Sequence, residues 1–363
     1  MTKVFYDHQI FTEQVFGGIS RYFKYLIDGI KSTSDFDYKL GVLNSKNYYI
    51  RDEKQLLSQP LFQSLFKTQE KLIKRNNSYC KYLVKQNDFS ICHPTYFNPY
   101  FLKYLKKPLV ITVHDMTYEA LPQYFPSADP LPYYKRLLMD KAEKIIAISE
   151  TTKEDILKYS NINADKIEVI HHGIDFTPPE YENVPELPAN YILFVGARWS
   201  YKNFHLVASA FKILSKKYPD LKLVLAGGGA LSFGDSEFLL RNGILDKTIQ
   251  ISATDEQLNT IYKNAACFIY PSLYEGFGLP VLEAFKNGTP VLLSDCSCFK
   301  EIAGNAANYF DHQSLDALVI ETEKQINNKT LAEELGAAGK VKLMEYPIEK
   351  CVSKTIDLYR SIS

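Results

Sequence analysis

Glu275 and Glu283 are separated by seven residues in the stretch YPSLYEGFGLPVLEAFKNG, residues 270–288, and a Gly-Phe-Gly-Leu-Pro turn lies between them. CFIYPS predicts a short apolar strand, Gly276 and Gly278 loosen the turn, and Pro280 suits the first turn of a helix. LPVLEAFKNG then has apolar residues at helical spacing and stops on Gly288. Glu275 is therefore expected in the loop at the carboxyl end of a parallel strand, and Glu283 one turn into the next helix. Open α/β sheets bind ligands at that edge. Amides at a helix start attract anions, and carboxylates accept hydrogen bonds from hydroxyls. A ligand with both phosphate and many hydroxyls, such as a nucleotide sugar, satisfies both.

A diphosphate needs positive charge nearby. Arg198 and Lys202 supply it in FVGARWSYKNF, following a strand that turns at Gly196 and preceding a helix that starts near Asn203. Arginine offers a planar fork to phosphate oxygens and lysine a compact charge on a flexible stem. In LKLVLAGGGA, Gly227 to Gly229 permit close backbone approach to a ligand, although an ordinary strand-end turn has the same composition. Gly17 and Gly18, in QVFGGISRYF, open a helix after the first strand and its loop, where backbone amides can meet a phosphate. The pattern is not G-x-G-x-x-G, so a dinucleotide fingerprint is absent. Arg21, one turn on, reads as a surface residue. ITVHDMTYE ends a β-branched strand on His114 and Asp115, and Asp115 reads as a cap for the following loop. Ser149 reads as a helix N-cap, with Thr152 one turn further.

The glutamate pair around G-F-G-L-P, together with Arg-x-x-x-Lys after a glycine-terminated strand, resembles the signature of retaining glycosyltransferases of family 4. The opening FYDHQIFTEQVFGGISRYF is similar to mannosyltransferase-like members that build O-antigen and other surface polysaccharides. The resemblance implies a GT-B fold, with two Rossmann-like doubly wound domains facing across a cleft. It implies that Glu275 binds the donor sugar's hydroxyls and Glu283 the nucleotide ribose. Amides of Phe277, Gly278 and Leu279 would face sugar and diphosphate, and Arg198 and Lys202 would neutralise the diphosphate. Gly227 would lie beside the nucleotide, Gly17 and Gly18 would close over the phosphates, and His114 would hold the sugar. His171, His172 and the Gly173-Ile174-Asp175 run resemble the family's hinge-edge motif. The donor is expected to be a GDP-sugar, with a UDP-sugar as the alternative, and the acceptor a glycan or lipid-linked glycan.

No dense His/Cys/Asp cluster has ligand spacing, and no D-x-D triplet accompanies these cations and glutamates, so neither a metal-held diphosphate nor any other cofactor is expected. Retention, by same-face attack with the leaving phosphate taking the acceptor's proton, is implied by the family; a double displacement through Glu275 ranks below it. Two other readings stay open: a non-catalytic nucleotide- or glycan-binding partner subunit, and a nucleotide-sugar epimerase.

The elements that must position these residues fit a chain of 363 residues, which is long for one core. Short β-rich runs alternate with helical patterns, which predicts parallel sheets flanked by helices. The expected division is an acceptor-side domain over 1–176, a linker over 177–190 with Pro178, Pro179, Pro185 and Pro188, and a donor domain over 191–346. Pro347 breaks the tail, and by resemblance the helix over 347–363 packs back on the first domain. The 42 basic residues balance the 42 acidic ones, so no global field draws nucleic acid. The start lacks a signal-peptide pattern, no apolar run approaches the ~20 residues of a membrane span, and the six scattered cysteines fit reduced thiols. A cytoplasmic protein is expected. Residues 61–85 mix apolar residues with Lys67, Lys71, Lys74, Arg75, Lys81 and Lys85; this suits either peripheral contact with the inner membrane face or a solvated helix on the core.

Overall fold

The computed structural model describes residues 1–57, 66–198 and 200–363, and these form two compact units. The first comprises Met1–Gly173 and Ile348–Ser363, the second Ile174–Pro347.

The strands of the first unit are β1 (Thr2–Tyr6), β2 (Phe36–Leu40), β3 (Ile91–Cys92), β4 (Val110–Val113), β5 (Lys144–Ala147) and β6 (Ile167–Val169). They pair in parallel as β2-β1-β3 and β4-β5-β6. A parallel bridge from Cys92 to Leu109 joins the two runs, and the Cys92 amide donates to the Pro108 carbonyl at 2.9 Å. Its helices are α1 (Gln9–Glu13), α2 (Gly18–Lys31), α3 (Gln69–Gln86), α4 (Thr117–Ala120), α5 (Leu131–Lys141) and α6 (Glu150–Tyr159), together with the C-terminal helix Ile348–Arg360. Ser149 caps α6 by accepting from the Thr152 amide.

The C-terminal helix enters the core of this unit with Cys351, Ile356, Leu358 and Tyr359, beside Tyr6, Tyr22 and Phe23. A Cβ on Gly29 would fall 2.1 Å from a Val352 methyl, so the bare backbone of α2 is what lets the two helices meet. The Tyr359 hydroxyl hydrogen-bonds Tyr6 Oη at 2.9 Å and His93 Nδ1 at 2.6 Å. Arg360, at the helix end, pairs with Asp35. That aspartate belongs to the chain's one D-x-D triplet, Asp35-Phe36-Asp37, which stands at the amino end of β2 and away from the edge where ligands bind.

The apolar face of α3 is used by this core: Leu72, Cys80, Leu83 and Val84 are buried, while Lys67, Lys71, Lys74, Arg75 and Lys85 are exposed. Residues 61–65 of the basic stretch lie outside the described residues. Among the described residues no helix is long and apolar enough to cross a membrane.

The second unit is one six-stranded parallel sheet of β7 (Tyr191–Val195), β8 (Lys222–Ala226), β9 (Thr248–Ile251), β10 (Cys267–Tyr270), β11 (Val291–Ser294) and β12 (Asn308–Phe310). Its order, β12-β11-β10-β7-β8-β9, is that of a doubly wound nucleotide-binding sheet. The helices are α7 (Phe204–Lys217), α8 (Phe233–Arg241), α9 (Asp255–Asn264), α10 (Leu279–Lys286), α11 (Ser297–Ala303), α12 (Leu315–Asn327) and α13 (Lys329–Leu343). β7, β10 and β11 are buried throughout, as expected for strands covered on both faces. The proline-rich segment before β7 is strapped to α9: Thr260 Oγ1 donates to the Glu182 carbonyl at 2.6 Å and Asn259 Nδ2 to the Glu180 carbonyl at 3.1 Å.

Among the histidines of the first unit whose pKa burial lowers, His93 and His114 fall to about 3 and His172 well below the ordinary value. The unfolded chain takes up a proton at each as pH falls through about 6.5, and the folded chain does not. Their contribution to stability is thus complete above that pH and is lost progressively toward pH 3. Urea unfolding at pH 5 and pH 7 should differ by about 2 kcal/mol per buried histidine. An unchanged midpoint would mean that these rings are protonated in the folded state.

Candidate donor site

The strand order of the second unit reverses between β7 and β10, and the loops leaving these neighbours carry most of the residues singled out above. β7 ends at Val195, and Gly196 (φ +122°) turns the chain toward Arg198, the short 3-10 turn Ser200–Lys202 and α7. β10 ends at Tyr270 and leads through Glu275 to Gly278, which caps α10 in the left-handed region at φ +99°. The Leu273 amide donates to the Tyr201 carbonyl at 2.9 Å, tying one loop to the other.

Beside that backbone bond, Lys202 Nζ lies 2.5 Å from Glu275 Oε1, with the side chains 18% and 12% exposed. The ion pair is partly shielded yet reachable, and the Tyr270 ring lies 5.8 Å from the ammonium. Burial, and then the Glu275 charge, pushes the Tyr270 phenol well above its ordinary pKa, so it remains a neutral hydroxyl beside the carboxylate.

Glu283 lies one turn into α10, where Tyr262 Oη of α9 donates to it at 3.3 Å. The Phe277 ring is buried edge-on against Tyr346, with its carbonyl accepting from Cys298 Sγ at 3.2 Å, so the backbone rather than the ring can face a ligand. Leu279 is the first residue of α10 and Pro280 follows it.

Arg198 is placed differently from the expectation of a cation turned to the ligand. Its side chain is only 5% exposed, and its Nε donates to Asp235 Oδ2 at 3.1 Å. Its terminal nitrogens donate to the carbonyls of Gly227, Gly228, Gly229 and Ala230 at 3.3, 3.4, 3.0 and 2.8 Å. Burial alone would raise the Asp235 carboxyl, but hydrogen bonds from Ser232 and Arg198 hold it below its ordinary pKa. Sequence reasoning missed Asp235; the signal was the S-x-x-D capping box that Ser232 and Asp235 form at the start of α8. Tyr262 and Tyr270 were also missed, because nothing in their sequence context separates them from core tyrosines.

Asp295, Asp311 and His312 gather at the ends of β11 and β12, with His312 Nδ1 2.7 Å from Asp295 Oδ1. This is a carboxylate–imidazole hydrogen bond between strand-end loops, and nothing beyond it points to a cation.

The second unit thus joins Lys202 to Glu275 and Arg198 to Gly227, and it carries Phe277, Gly278, Leu279 and Glu283 on the loop and helix that follow β10. Gly17, Gly18 and His114 belong to the first unit. Gly17 is the N-cap of α2 and Gly18 its first residue. His114 follows β4, is buried, and packs against the rings of Tyr22 and His172 with centroids 5.7 and 5.5 Å away. Its Nδ1 has no hydrogen-bond partner among the described residues. With its pKa lowered to about 3 by burial, His114 is a neutral hydrogen-bonding group at physiological pH and not a proton carrier. Substitution by asparagine should therefore leave the shape of the kcat/KM–pH profile unchanged between pH 5.5 and 8. A limb near pH 6.5 that His114→Asn abolishes would show that the imidazole titrates in catalysis.

Comparison with known proteins agrees with this architecture. Residues 16–177 match the family described as glycosyltransferase family 4, and residues 180–342 match glycosyl transferases group 1. The chain is 28% identical over 279 residues to O-antigen chain mannosyltransferase B of Escherichia coli, covering 72% of each protein. It is 31% identical over 204 residues to O-antigen chain mannosyltransferase RfbU of Salmonella typhimurium, covering 55% of each. In fold it is similar to sucrose-phosphate synthase from Thermosynechococcus elongatus (TM-score 0.74, 16% identity, 99% of each chain). It is equally similar to Anabaena HepE in complex with UDP and glucose (TM-score 0.74, 17% identity, 99% of this chain and 100% of that one). Two Rossmann-like sheets, the loops they position and the two family matches make this chain a member of the family 4 glycosyltransferases with the GT-B fold.

Proposed function

We propose that this glycosyltransferase is retaining and metal-independent, and that it moves mannose or a related hexose from a GDP-sugar to a growing surface glycan. The observation that carries the reading is the Lys202–Glu275 pair at the reversal point of the second sheet. A cation and a carboxylate side by side suit a diphosphate and a sugar side by side. Lys202 and backbone amides answer the charge that develops on the departing nucleoside diphosphate. Glu275 accepts from sugar hydroxyls, Glu283 from ribose hydroxyls, and His114 serves as a neutral partner for a sugar hydroxyl. Gly17 and Gly18 allow close approach of backbone to phosphate.

The leaving phosphate takes the acceptor's proton on the face it vacates, which retains the anomeric configuration. Glu275 is a weak candidate for a covalent nucleophile, because its charge is already engaged by Lys202 at 2.5 Å. The mannose preference rests on the two O-antigen relatives, whose names state that sugar. A lipid-linked acceptor suits the exposed basic face of α3, which an anionic surface would attract. The presence of Lys202, Glu275 and Glu283 on the loops and helix that follow β7 and β10, in a chain similar to two O-antigen mannosyltransferases, favours an enzyme over a binding subunit or an epimerase.

Titration with GDP, UDP and ADP, followed by turnover of the matching nucleotide sugars in EDTA, tests the reading. GDP is expected to bind most tightly, with turnover unaffected by the chelator. Failure of every nucleoside diphosphate to bind at millimolar concentration would refute the donor site. Lys202→Ala should lower kcat by about 100-fold or more with an unchanged melting temperature. Activity near wild type in that variant would remove Lys202 from the diphosphate site.

A further inference from the structure

Phe16, Tyr48 and Tyr49 stand together on the first unit, on the loop between α1 and α2 and on the segment that follows β2. Phe16 is 62% exposed and Tyr48 39%. Their centroids lie 4.9 Å apart with the rings 28° from parallel, and Tyr49 meets them edge-on at 6.5 and 5.5 Å. The Arg51 guanidinium lies over the Tyr48 ring, 4.3 Å from its centroid. Tyr48 is thus the middle of the stack, and Phe16 carries the larger open area. Scattered exposed apolar side chains are common, but a cluster of rings in water marks a contact surface. Hydrogen bonds hold this one in place. Asn47, only 2% exposed, donates from Nδ2 to the Gln14 carbonyl at 2.8 Å and accepts from the Tyr49 amide at 3.0 Å. The Tyr48 amide donates to the Val15 carbonyl at 2.9 Å, and Ser45 Oγ donates to the Phe11 carbonyl. The two segments are therefore tied together immediately before Phe16, which fixes rings that the core does not use.

We propose that Phe16, Tyr48 and Tyr49 form a platform for the acceptor glycan, on which one pyranose lays its C–H face against the Phe16 ring. The inference rests on the reading of the acceptor as a glycan and names the residues that take it. The face of an aromatic ring carries partial negative charge and attracts the weakly positive C–H groups of a sugar, while hydroxyls at the sugar's edge need polar partners. Such partners surround the rings: Glu13, Lys46, Arg51, Asp52 and Lys54 are exposed on the same two segments. Their signs are mixed, which suits a neutral polyhydroxylated ligand; an anionic lipid surface is met by charge of one sign. Place in the chain points the same way. Phe16 directly precedes Gly17, the N-cap of α2, so a sugar on this ring lies one residue from the glycines proposed to meet the donor's phosphates.

Saturation-transfer NMR on the full-length protein, with the methyl glycosides of mannose, glucose, galactose and N-acetylglucosamine as probes, tests the platform. At least one glycoside is expected to bind the wild type through its ring C–H protons. Phe16→Ala should weaken that binding about fivefold, with GDP affinity and melting temperature unchanged, because the ring is exposed and outside the core. Phe16→Trp and Tyr48→Phe, which keep an aromatic face, should bind like the wild type. Sedimentation with phosphatidylglycerol vesicles supplies the second arm, and Phe16→Ala should sediment as the wild type does. The proposal is overturned if no glycoside binds at 50 mM, or if Phe16→Ala binds every glycoside as the wild type does. Loss of vesicle binding in Phe16→Ala with glycoside binding intact would overturn it in favour of a lipid contact. If the wild type binds no nucleoside diphosphate, the donor-site reading fails, and the glycoside measurement still decides whether the rings hold a sugar.

Discussion

The reversal of strand order between β7 and β10 is the constraint on which the donor unit depends. Right-handed crossovers from these adjacent parallel strands lead to opposite directions along the sheet, so their loops part above the carboxyl edge. The Lys202–Glu275 pair is attached to that parting. Lys202 comes from one side and Glu275 from the other, and the Leu273–Tyr201 backbone bond fixes their separation. A different strand order would leave the same residues on the same loops without bringing them within 2.5 Å.

Charge in this site is paired before any ligand arrives. Lys202 rests on Glu275, and Arg198 on Asp235 and four carbonyls. An isolated buried cation would be costly, and pairing removes most of that cost. The two pairs differ in what they leave available. Arg198 is turned to the carbonyls of a glycine loop, whereas Lys202 is partly exposed beside a carboxylate and an aromatic ring. The same two residue types, four positions apart, thus hold different stations in one site.

The first unit solves a separate problem. Its two strand runs are joined by the bridge at Cys92, and the C-terminal helix enters its core with Tyr359. The hydroxyl of Tyr359 meets both Tyr6 and His93, and His93 Nε2 continues to Thr112 Oγ1, two residues before His114. Polar groups buried this deeply need partners, and the network supplies them to all but His114 Nδ1 among these atoms. A histidine kept neutral in such surroundings suits hydrogen bonding better than proton transfer.

Much of this was legible in the residues themselves. Alternating apolar runs and helical periods announce parallel α/β units, and Gly278 and Pro280 mark the turn that places Glu275 outside the sheet and Glu283 inside a helix. Those readings follow from backbone preferences that act within a few residues. The basic stretch over 61–85 shows where local reading stops: its periodicity could serve a membrane or a core, and only packing showed that Leu72, Cys80, Leu83 and Val84 are used by the core. Arg198 shows it more sharply. Its type and position fit a phosphate ligand, but the direction of a long side chain depends on what surrounds it. Three glycines in left-handed backbone and an aspartate 37 residues away turned it toward the loop. Sequence by itself determined which residues stand at the strand ends, because that is set by local propensity and pattern. Tertiary structure alone decided which of them face each other, because strand order and side-chain direction arise from contacts between segments far apart in the chain.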